Sequence, residues 1–175
     1  MLSGKLVRLR PLEPSDAESL YRWNSDPDIG RWMVNSHPLS LAQFRKRCEE
    51  RKENSYDNVV LGIETLAEGK FIGIIDLRDA EPEIGNADLD LYIGEKDHWG
   101  KGYATDAMRV MCAYGFNSMR LHLISLRVVA ENEAARHVYR KVGFHEDGRH
   151  REAFRGDDGK RYDMILMSLI NGELT

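Results

Sequence analysis

The sequence has little of what marks several large classes of protein. It has two cysteines and five prolines among 175 residues, and its formal net charge is -4. Cys48 and Cys112 both lie in predicted helices, so no disulfide framework is indicated. The lack of a basic excess argues against nucleic acid as a partner. No apolar signal-peptide core stands at the N-terminus, and the longest uncharged run, 110–119, is too short to span a bilayer. We therefore expect a soluble, cytoplasmic protein.

The length and composition that are present fit one folded domain. A chain of 175 residues buries one substantial core and is too short for two ordinary ones, so we expect a single domain over residues 1–175. A local basic cluster interrupts the mild acidity and suits either a phosphorylated ligand or a solvated helix face and strand edge. Its members are Arg136, His137, Arg140, Lys141, His145, Arg149, His150 and Arg151.

Hydrophobic periodicity predicts an α/β (α+β) fold with a mixed, mostly antiparallel central sheet of about seven strands and about four flanking helices. Ser15 is a candidate cap of the first helix, which Pro27 helps to end, and Ser40 with Gln43 forms a capping box for the second. Gly143 closes the last helix. In chain order the predicted elements are strand 5–10, two helices at 15–27 and 41–52, strands 58–66, 70–77 and 86–93, helix 102–116, strand 121–130, helix 132–142, and strands 144–154 and 160–169.

A glycine-containing turn separates a predicted strand from a predicted helix. Gly100 and Gly102 let the backbone approach an anion closely, Lys101 adds a cation, and the helix start offers free N–H groups and the positive end of its dipole. The turn therefore indicates a phosphate site, although a simple chain reversal fits its spacing equally well. The whole segment is Trp99, Gly100, Lys101, Gly102, Tyr103, Ala104 and Thr105.

Two other phosphate-binding motifs fit less well. A Walker loop needs four residues between its first glycine and a Gly-Lys pair followed by Ser or Thr, and no segment provides them. A dinucleotide fingerprint would use Gly100, Gly102 and Thr105, with Glu131 at the ribose. However, Thr105 is not glycine, and the strands predicted before the turn are antiparallel.

The helix predicted at 132–142 carries a second candidate constellation. Asn132 and Tyr139 lie two turns apart on nearly the same side, so both can point at one ligand. Each also has an ordinary structural interpretation, Asn132 as an N-cap and Tyr139 as a core aromatic. Their position after a strand and behind the glycine turn favours the functional interpretation.

These two segments together resemble the signature segments of the GNAT acetyltransferase superfamily. The first is Trp99-Gly-Lys-Gly-Tyr-Ala-Thr105, and the second runs from Asn132 through Tyr139 to Phe144. The branch that the chain is most similar to contains ribosomal-protein N-terminal alanine acetyltransferases and spermidine acetyltransferase, and the similarity covers nearly the whole chain. Trp99 departs from the wider superfamily pattern, which has Gln or Arg at this place.

The resemblance implies acetyl-CoA as co-substrate and no metal. The pantetheine arm of acetyl-CoA would enter a split between the fourth and fifth predicted strands, where backbone groups polarise the acetyl carbonyl. Tyr139 would protonate the departing thiolate. The resemblance assigns the pyrophosphate to the segment from Gly100 to Thr105. The cofactor-binding residues implied are Tyr92, Ile93, Gly94, Trp99, Gly100, Lys101, Gly102, Tyr103, Ala104, Thr105, Asn132, Ala135, Arg136 and Tyr139.

The general base and the amine acceptor are less constrained. Asp88 and Asp90 alternate onto one strand face, and Asp88 matches a carboxylate of relatives, so Asp88 is the candidate base; a salt-bridged or solvent-facing role fits it equally. The acceptor is expected against the connection 26–38 and the hairpin 155–162. A protein or peptide N-terminal α-amine makes the smaller demand on a base.

A polyamine or another small amine is the alternative acceptor, and it would use convergent carboxylates. The residues before Pro38 are not the acidic ones typical of the spermidine branch. A non-catalytic acyl-CoA sensor is the alternative from another class, and a homodimer is a family expectation. The carboxylates available for a polyamine are Asp26, Asp28, Glu81 and Glu83; the residues before Pro38 are Asn35, Ser36 and His37.

Overall fold

A computed structural model describes residues 2–33 and 38–175, and in these ranges the chain forms eight strands and five α-helices. The strands are β1 (Leu2–Ser3), β2 (Val7–Pro11), β3 (Asn58–Thr65), β4 (Phe71–Glu81), β5 (Asn86–Ile93), β6 (Leu123–Val129), β7 (His145–Arg155) and β8 (Arg161–Ile170). The helices are α1 (Ala17–Asn24), α2 (Pro27–Gly30), α3 (Leu41–Glu49), α4 (Tyr103–Asn117) and α5 (Glu133–Val142).

One open sheet contains all of these strands, in the order β1-β2-β3-β4-β5-β6-β8-β7. Neighbouring strands are antiparallel except β5 and β6, which are parallel. Parallel strands need a crossover connection, and α4 supplies it. The crossover places the start of α4 just past the carboxyl end of β5.

The two faces of the sheet are covered by different helices. On one face, which we call the α4 face, residues such as Leu89 of β5 and Met108 of α4 belong to the main core. On the other, the α1/α3 face, Trp23 of α1 packs with Ile74 and Tyr92 in a smaller core. Successive side chains of β5 therefore alternate between the two cores.

A buried carboxylate ties the first two strands to α4. Asp106, in the first turn of α4, accepts the backbone N–H groups of Lys5, Leu6 and Val7 at 3.1, 2.7 and 3.0 Å. The short turn between β1 and β2 is thus held against the start of the helix.

Most of the element predictions are confirmed, and the helix signals explain why. Ser40 and Gln43 exchange both hydrogen bonds of a capping box before α3. Gly143 ends α5 in the left-handed conformation, with φ of 116°. The Ser15 cap is wrong, because residues 14–16 form a separate 3-10 turn and Asp16 precedes α1.

The structure also contains two elements that the pattern does not predict. They are the two-residue strand β1 and the one-turn helix α2, which begins at Pro27 and is capped by the Asp26 carboxylate. Both are too short to show hydrophobic periodicity. They raise the number of strands from about seven to eight and of helices from about four to five.

Candidate active site

A gap opens in the middle of the sheet, between its two parallel strands. The ladder between β5 and β6 covers only Asn86 to Asp88, paired with Leu123 to Ser125. Beyond it β5 stays hydrogen-bonded to β4 as far as Ile93, whereas β6 follows β8. The two strands separate, and a gap widens toward the carboxyl end of β5.

The alternation of backbone groups along β5 decides which of them face this gap. Gly94 donates its N–H to the Ile72 carbonyl of β4 at 2.8 Å, whereas the Ile93 carbonyl points away from β4 and accepts the Trp99 indole N–H at 2.8 Å. Alternate residues of a strand turn their backbone groups to the same side. Ile93 and Leu91 therefore face the gap.

Only one of the three residues predicted to offer backbone contacts, Tyr92, Ile93 and Gly94, turns them toward the gap. Tyr92 and Gly94 turn their N–H groups to β4, and only Ile93 of the three turns its groups to the gap. Leu91, which the sequence analysis did not single out, joins it. The role of Gly94 is steric, because a Cβ there would lie 2.0 Å from the Trp23 ring.

The predicted phosphate turn lies at the mouth of the gap. Gly100 and Gly102 have φ of 70° and 88°, in the left-handed region that favours glycine. Gly102 is the N-cap of α4, so the first N–H groups of the helix point out of its start. Lys101 is exposed beside it, whereas the Thr105 side chain is buried. Backbone groups and one cation therefore form this part of the site.

The N-terminal turn of α5 is already engaged in hydrogen bonds. The Asn132 side-chain oxygen accepts the Ala135 N–H at 3.2 Å, which is the N-cap role. Arg136 contacts Glu146 at 2.9 Å, Glu133 at 2.5 Å and the Ala130 carbonyl at 2.9 Å. None of the hydrogen bonds within the described residues uses the Asn132 amide nitrogen.

Tyr139 extends from α5 into the main core on the α4 face. The residue is 8% exposed, and its ring packs against Phe144 with centroids 6.2 Å apart. Burial raises the pKa of Tyr139, and the nearby Asp90 carboxylate raises it further. The hydroxyl is therefore held in its protonated form.

Three aspartates lie on the α1/α3 face beside the gap. Asp88 accepts the Ser125 hydroxyl across the last pair of the β5–β6 ladder. Asp90 pairs with Arg78 at 2.7 Å. Asp76 stands opposite Asp90 in the β4–β5 register, and its Oδ1 is buried without a hydrogen-bond partner in the described part of the chain.

The ionisation of two of these aspartates is perturbed. Burial, followed by repulsion from Asp90, raises the pKa of Asp76 to about 7. Burial also raises the pKa of Asp90, and Arg78 opposes this effect.

Next to the aspartates, a cavity of about 160 Å³ lies between α1, α3 and the sheet. Trp23, Phe44 and Tyr92 contribute apolar walls, and the exposed Arg47 and Arg51 also line it. The cavity therefore combines aromatic walls with two cationic side chains at its rim.

The two segments predicted to flank the acceptor meet in the structure. Trp32, after α2, packs against Tyr162 and Phe154 of the terminal hairpin, with ring centroids 5.3 and 6.3 Å apart. The predicted contribution of Asn35, Ser36 and His37 lies outside the described residues.

Comparisons with known proteins agree with this geometry. Residues 7–145 match the family model described as an acetyltransferase (GNAT) domain. The chain is 28% identical over 172 residues to the putative ribosomal N-acetyltransferase YdaF of Bacillus subtilis, covering 95% of this chain and 92% of that protein. It is 27% identical over 148 residues to the spermidine N(1)-acetyltransferase of Escherichia coli K12, covering 85% and 77%.

A solved structure has the same fold. Spermidine N-acetyltransferase from Vibrio cholerae, in complex with CoA and spermine, superposes with a TM-score of 0.81 at 24% identity, covering 95% of this chain and 96% of that one.

Proposed function

Because this chain belongs to the acetyltransferase (GNAT) domain family, we propose that it moves an acetyl group directly to a primary amine, and that the amine is the N-terminal α-amine of a protein or peptide. Enzymes of the family are N-acetyltransferases and take the acetyl group from acetyl-CoA. The observation that carries the proposal is the gap between β5 and β6, with the start of α4 at its mouth and Tyr139 behind it.

The gap and the turn suit the two ends of an acyl-CoA. The backbone groups of Leu91 and the N–H of Ile93 can pair with an extended pantetheine arm as a neighbouring strand would, while the Ile93 carbonyl holds the Trp99 indole. The pyrophosphate fits the segment from Trp99 to Thr105, where helix N–H groups and Lys101 favour an anion. Asn132 would contact the arm through its amide nitrogen. Bound there, acetyl-CoA supplies the activated acetyl thioester.

Tyr139 serves as the general acid in this proposal. A group that donates a proton must still hold it at the working pH, and burial secures this for Tyr139 by raising its pKa. The hydroxyl gives its proton to the thiolate that leaves when the acetyl group is transferred.

The charges around the acceptor side favour an α-amine over a polyamine. Arg47 and Arg51 at the cavity rim repel a polycation. Lys96 Nζ binds both Asp26 and Asp28, at 2.8 and 2.7 Å, so one cation already offsets part of the charge of these two carboxylates. The two remaining candidates for a polyamine, Glu81 and Glu83, lie at the turn between β4 and β5, at the opposite end of β5 from the gap.

The acceptor's own ionisation points the same way. An α-amine with a pKa of about 7.7 to 8.0 is roughly one-tenth unprotonated at pH 7, whereas a lysine-like amine near 10.4 is unprotonated about once in 2,500. The α-amine needs less help from a base.

We also propose that the protein works in the cytoplasm. Cys48 and Cys112 are both buried as free thiols, and burial raises the pKa of Cys112 to about 12. Thiols that persist unpaired are typical of a reducing compartment. No helix in residues 2–33 or 38–175 is long and apolar enough to cross a membrane.

Ligand binding and turnover test the proposal in two steps. Acetyl-CoA at 100 times its Kd should stabilise the protein by about 2.7 kcal/mol, and the absence of any thermal shift would contradict the donor site. Thiol release should then follow addition of peptides beginning with Ala or Ser, and it should be slower with spermidine. Faster release with spermidine would favour the polyamine alternative. A thermal shift without release on any amine would favour the non-catalytic sensor.

A further inference from the structure

The carboxylates beside the gap differ in how free they are to receive a proton. Asp88 was the candidate base, but its carboxylate accepts the Ser125 hydroxyl at the closed end of the gap. Asp90 lies two residues further along β5, where the strands have separated, and its carboxylate is half exposed. The position of Asp90 suits contact with an incoming amine better.

Asp90 and Asp76 form a cross-strand pair. They are directly opposite in the β4–β5 register. Gly94, four residues after Asp90, donates its N–H to Ile72 of β4. Because backbone groups alternate along a strand, those of Asp90 and Asp76 also face each other. Such a pair places the Cα atoms about 5.5 Å apart with both side chains on one face. Two carboxylates at this separation resist ionising together.

Burial distinguishes the two members of this pair. Asp76 has a fully buried Oδ1 without a partner in the described residues, so the neutral, protonated form suits it. Asp90 is more exposed and has the Arg78 guanidinium 2.7 Å away, which favours its charged form. When the pair holds one proton, the proton belongs on Asp76 and the charge on Asp90.

The pair and the general acid lie on opposite sides of the gap. Tyr139 belongs to the core of the α4 face, whereas Asp76 and Asp90 share the α1/α3 face with Tyr92. A reacting centre in the gap would therefore have Tyr139 on one side and the carboxylate pair on the other.

On the basis of the proposed function, we infer that Asp90, held in a carboxylate pair with Asp76, accepts the proton that the acceptor amine loses, in place of Asp88. The nitrogen forms a bond to the acetyl carbon as the carbon–sulfur bond breaks. The amine proton passes to the Asp90 carboxylate, and the thiolate takes a proton from Tyr139. Asp90 is the catalytic residue, and Asp76 is a positioning residue that carries the proton of the pair and so leaves the negative charge on Asp90.

Several other charged or titratable groups lie around the pair, and the variants Asp90→Asn and Asp76→Asn leave these groups in place. Arg78 shares β4 with Asp76, and Asp88 and Tyr92 share β5 with Asp90. The others come from β6, from the chain after α3 and from α5. They are Arg127, Arg51 and Tyr139.

The test compares single Asp→Asn variants with a peptide beginning with Ala or Ser as acceptor. Asp90→Asn should lower kcat/KM about 10²-fold or more while the Kd for acetyl-CoA stays the same. Asp88→Asn should cost much less. Asp147→Asn, on the exposed strand β7, is the control for charge and should keep wild-type turnover. A loss in Asp88→Asn equal to or greater than that in Asp90→Asn would overturn the assignment.

The pH profile tests Asp76 separately from any structural role. In the wild type, kcat/KM should fall as pH drops and the pair takes up a second proton. Because Asp76 already holds its proton when Asp90 titrates, the neutral amide in Asp76→Asn should leave this acidic limb in place, whereas Asp90→Asn should remove it. A limb that moves to lower pH in Asp76→Asn would show that Asp76 is charged there, and it would overturn the role of Asp76. If the wild type acetylates no peptide or amine, the proposed function itself fails, which is a different result.

Discussion

Tyr139, like any tyrosine, keeps its proton in the pH range of ordinary assays, and burial raises its pKa further. Replacing Tyr139 by Phe removes the hydroxyl and preserves the packing against Phe144, so we expect turnover to fall about 10²-fold with little change in the Kd for acetyl-CoA. Thiol release and calorimetric titration measure the two quantities. Tyr114→Phe, a half-buried tyrosine of α4, is the matched control and should keep its turnover. Equal turnover in both variants would remove Tyr139 from its proposed role.

Gly94 shows how a single missing side chain shapes the α1/α3 face. A methyl group there would meet Trp23 at 2.0 Å, and the indole is fixed in turn by a hydrogen bond from its N–H to Glu95 at 2.9 Å. Gly94→Ala should therefore lower the free energy of unfolding by about 1 to 3 kcal/mol, as read from urea denaturation. Gly148→Ala, where the nearest atom of Leu166 is 3.6 Å away, should change it far less. Two variants of equal stability would contradict the clash.

The sequence predicts some residues of the candidate site and misses others. Asn132 and Tyr139 are recognisable because their spacing places them on one helix face. Leu91, Asp76 and the true orientation of Gly94 depend on which strand lies on either side of β5, and no local pattern encodes that pairing. The register decides the direction of every backbone group, so these residues emerge only with the folded sheet.

At the scale of elements, Asp106 joins the start of α4 to the turn between β1 and β2. Its carboxylate accepts three backbone N–H groups, and hydrogen bonds to a charged group contribute about 1.5 to 3 kcal/mol each. Asp106→Asn should therefore cost at least about 2 kcal/mol of unfolding free energy. It should also speed hydrogen exchange at the amides of Lys5, Leu6 and Val7. Unchanged exchange there would mean that the turn holds its shape without the carboxylate.

Asp97→Asn provides the control for this element. Asp97 is exposed in the 3-10 turn before α4, so the same chemical change should leave the exchange at the β1–β2 turn as it is in the wild type.

Elements with a clear period were predicted well, and short ones were not. The stripes of α4 and α5 and the alternating strands β3 to β6 carry their own signal, because one face of each is buried. Strand β1 has two residues and α2 has four, so neither can show a repeat. The contact of Asp106 with the β1–β2 turn is also not predicted by the pattern. An acidic residue in the first turn of a helix is common whether or not it binds another segment.

At the scale of the whole molecule, the carboxylate pair beside the gap makes global stability depend on pH. The pKa of Asp76 is about 7 in the folded protein and 3.8 as the ordinary value. Between these two pH values the folded state binds a proton that the unfolded state has lost, so the contribution of Asp76 to stability is largest below about pH 4 and decreases as pH rises toward 7. A difference of this size is worth at most about 4 kcal/mol.

Asp76→Asn should abolish this contribution, because the amide resembles the protonated carboxyl group at every pH. The variant should match the wild type near pH 4.5 and exceed it in unfolding free energy at pH 8, as measured by urea denaturation across the range. Asp147→Asn should instead follow the wild-type curve. Parallel curves for Asp76→Asn and the wild type would show that Asp76 is not held protonated.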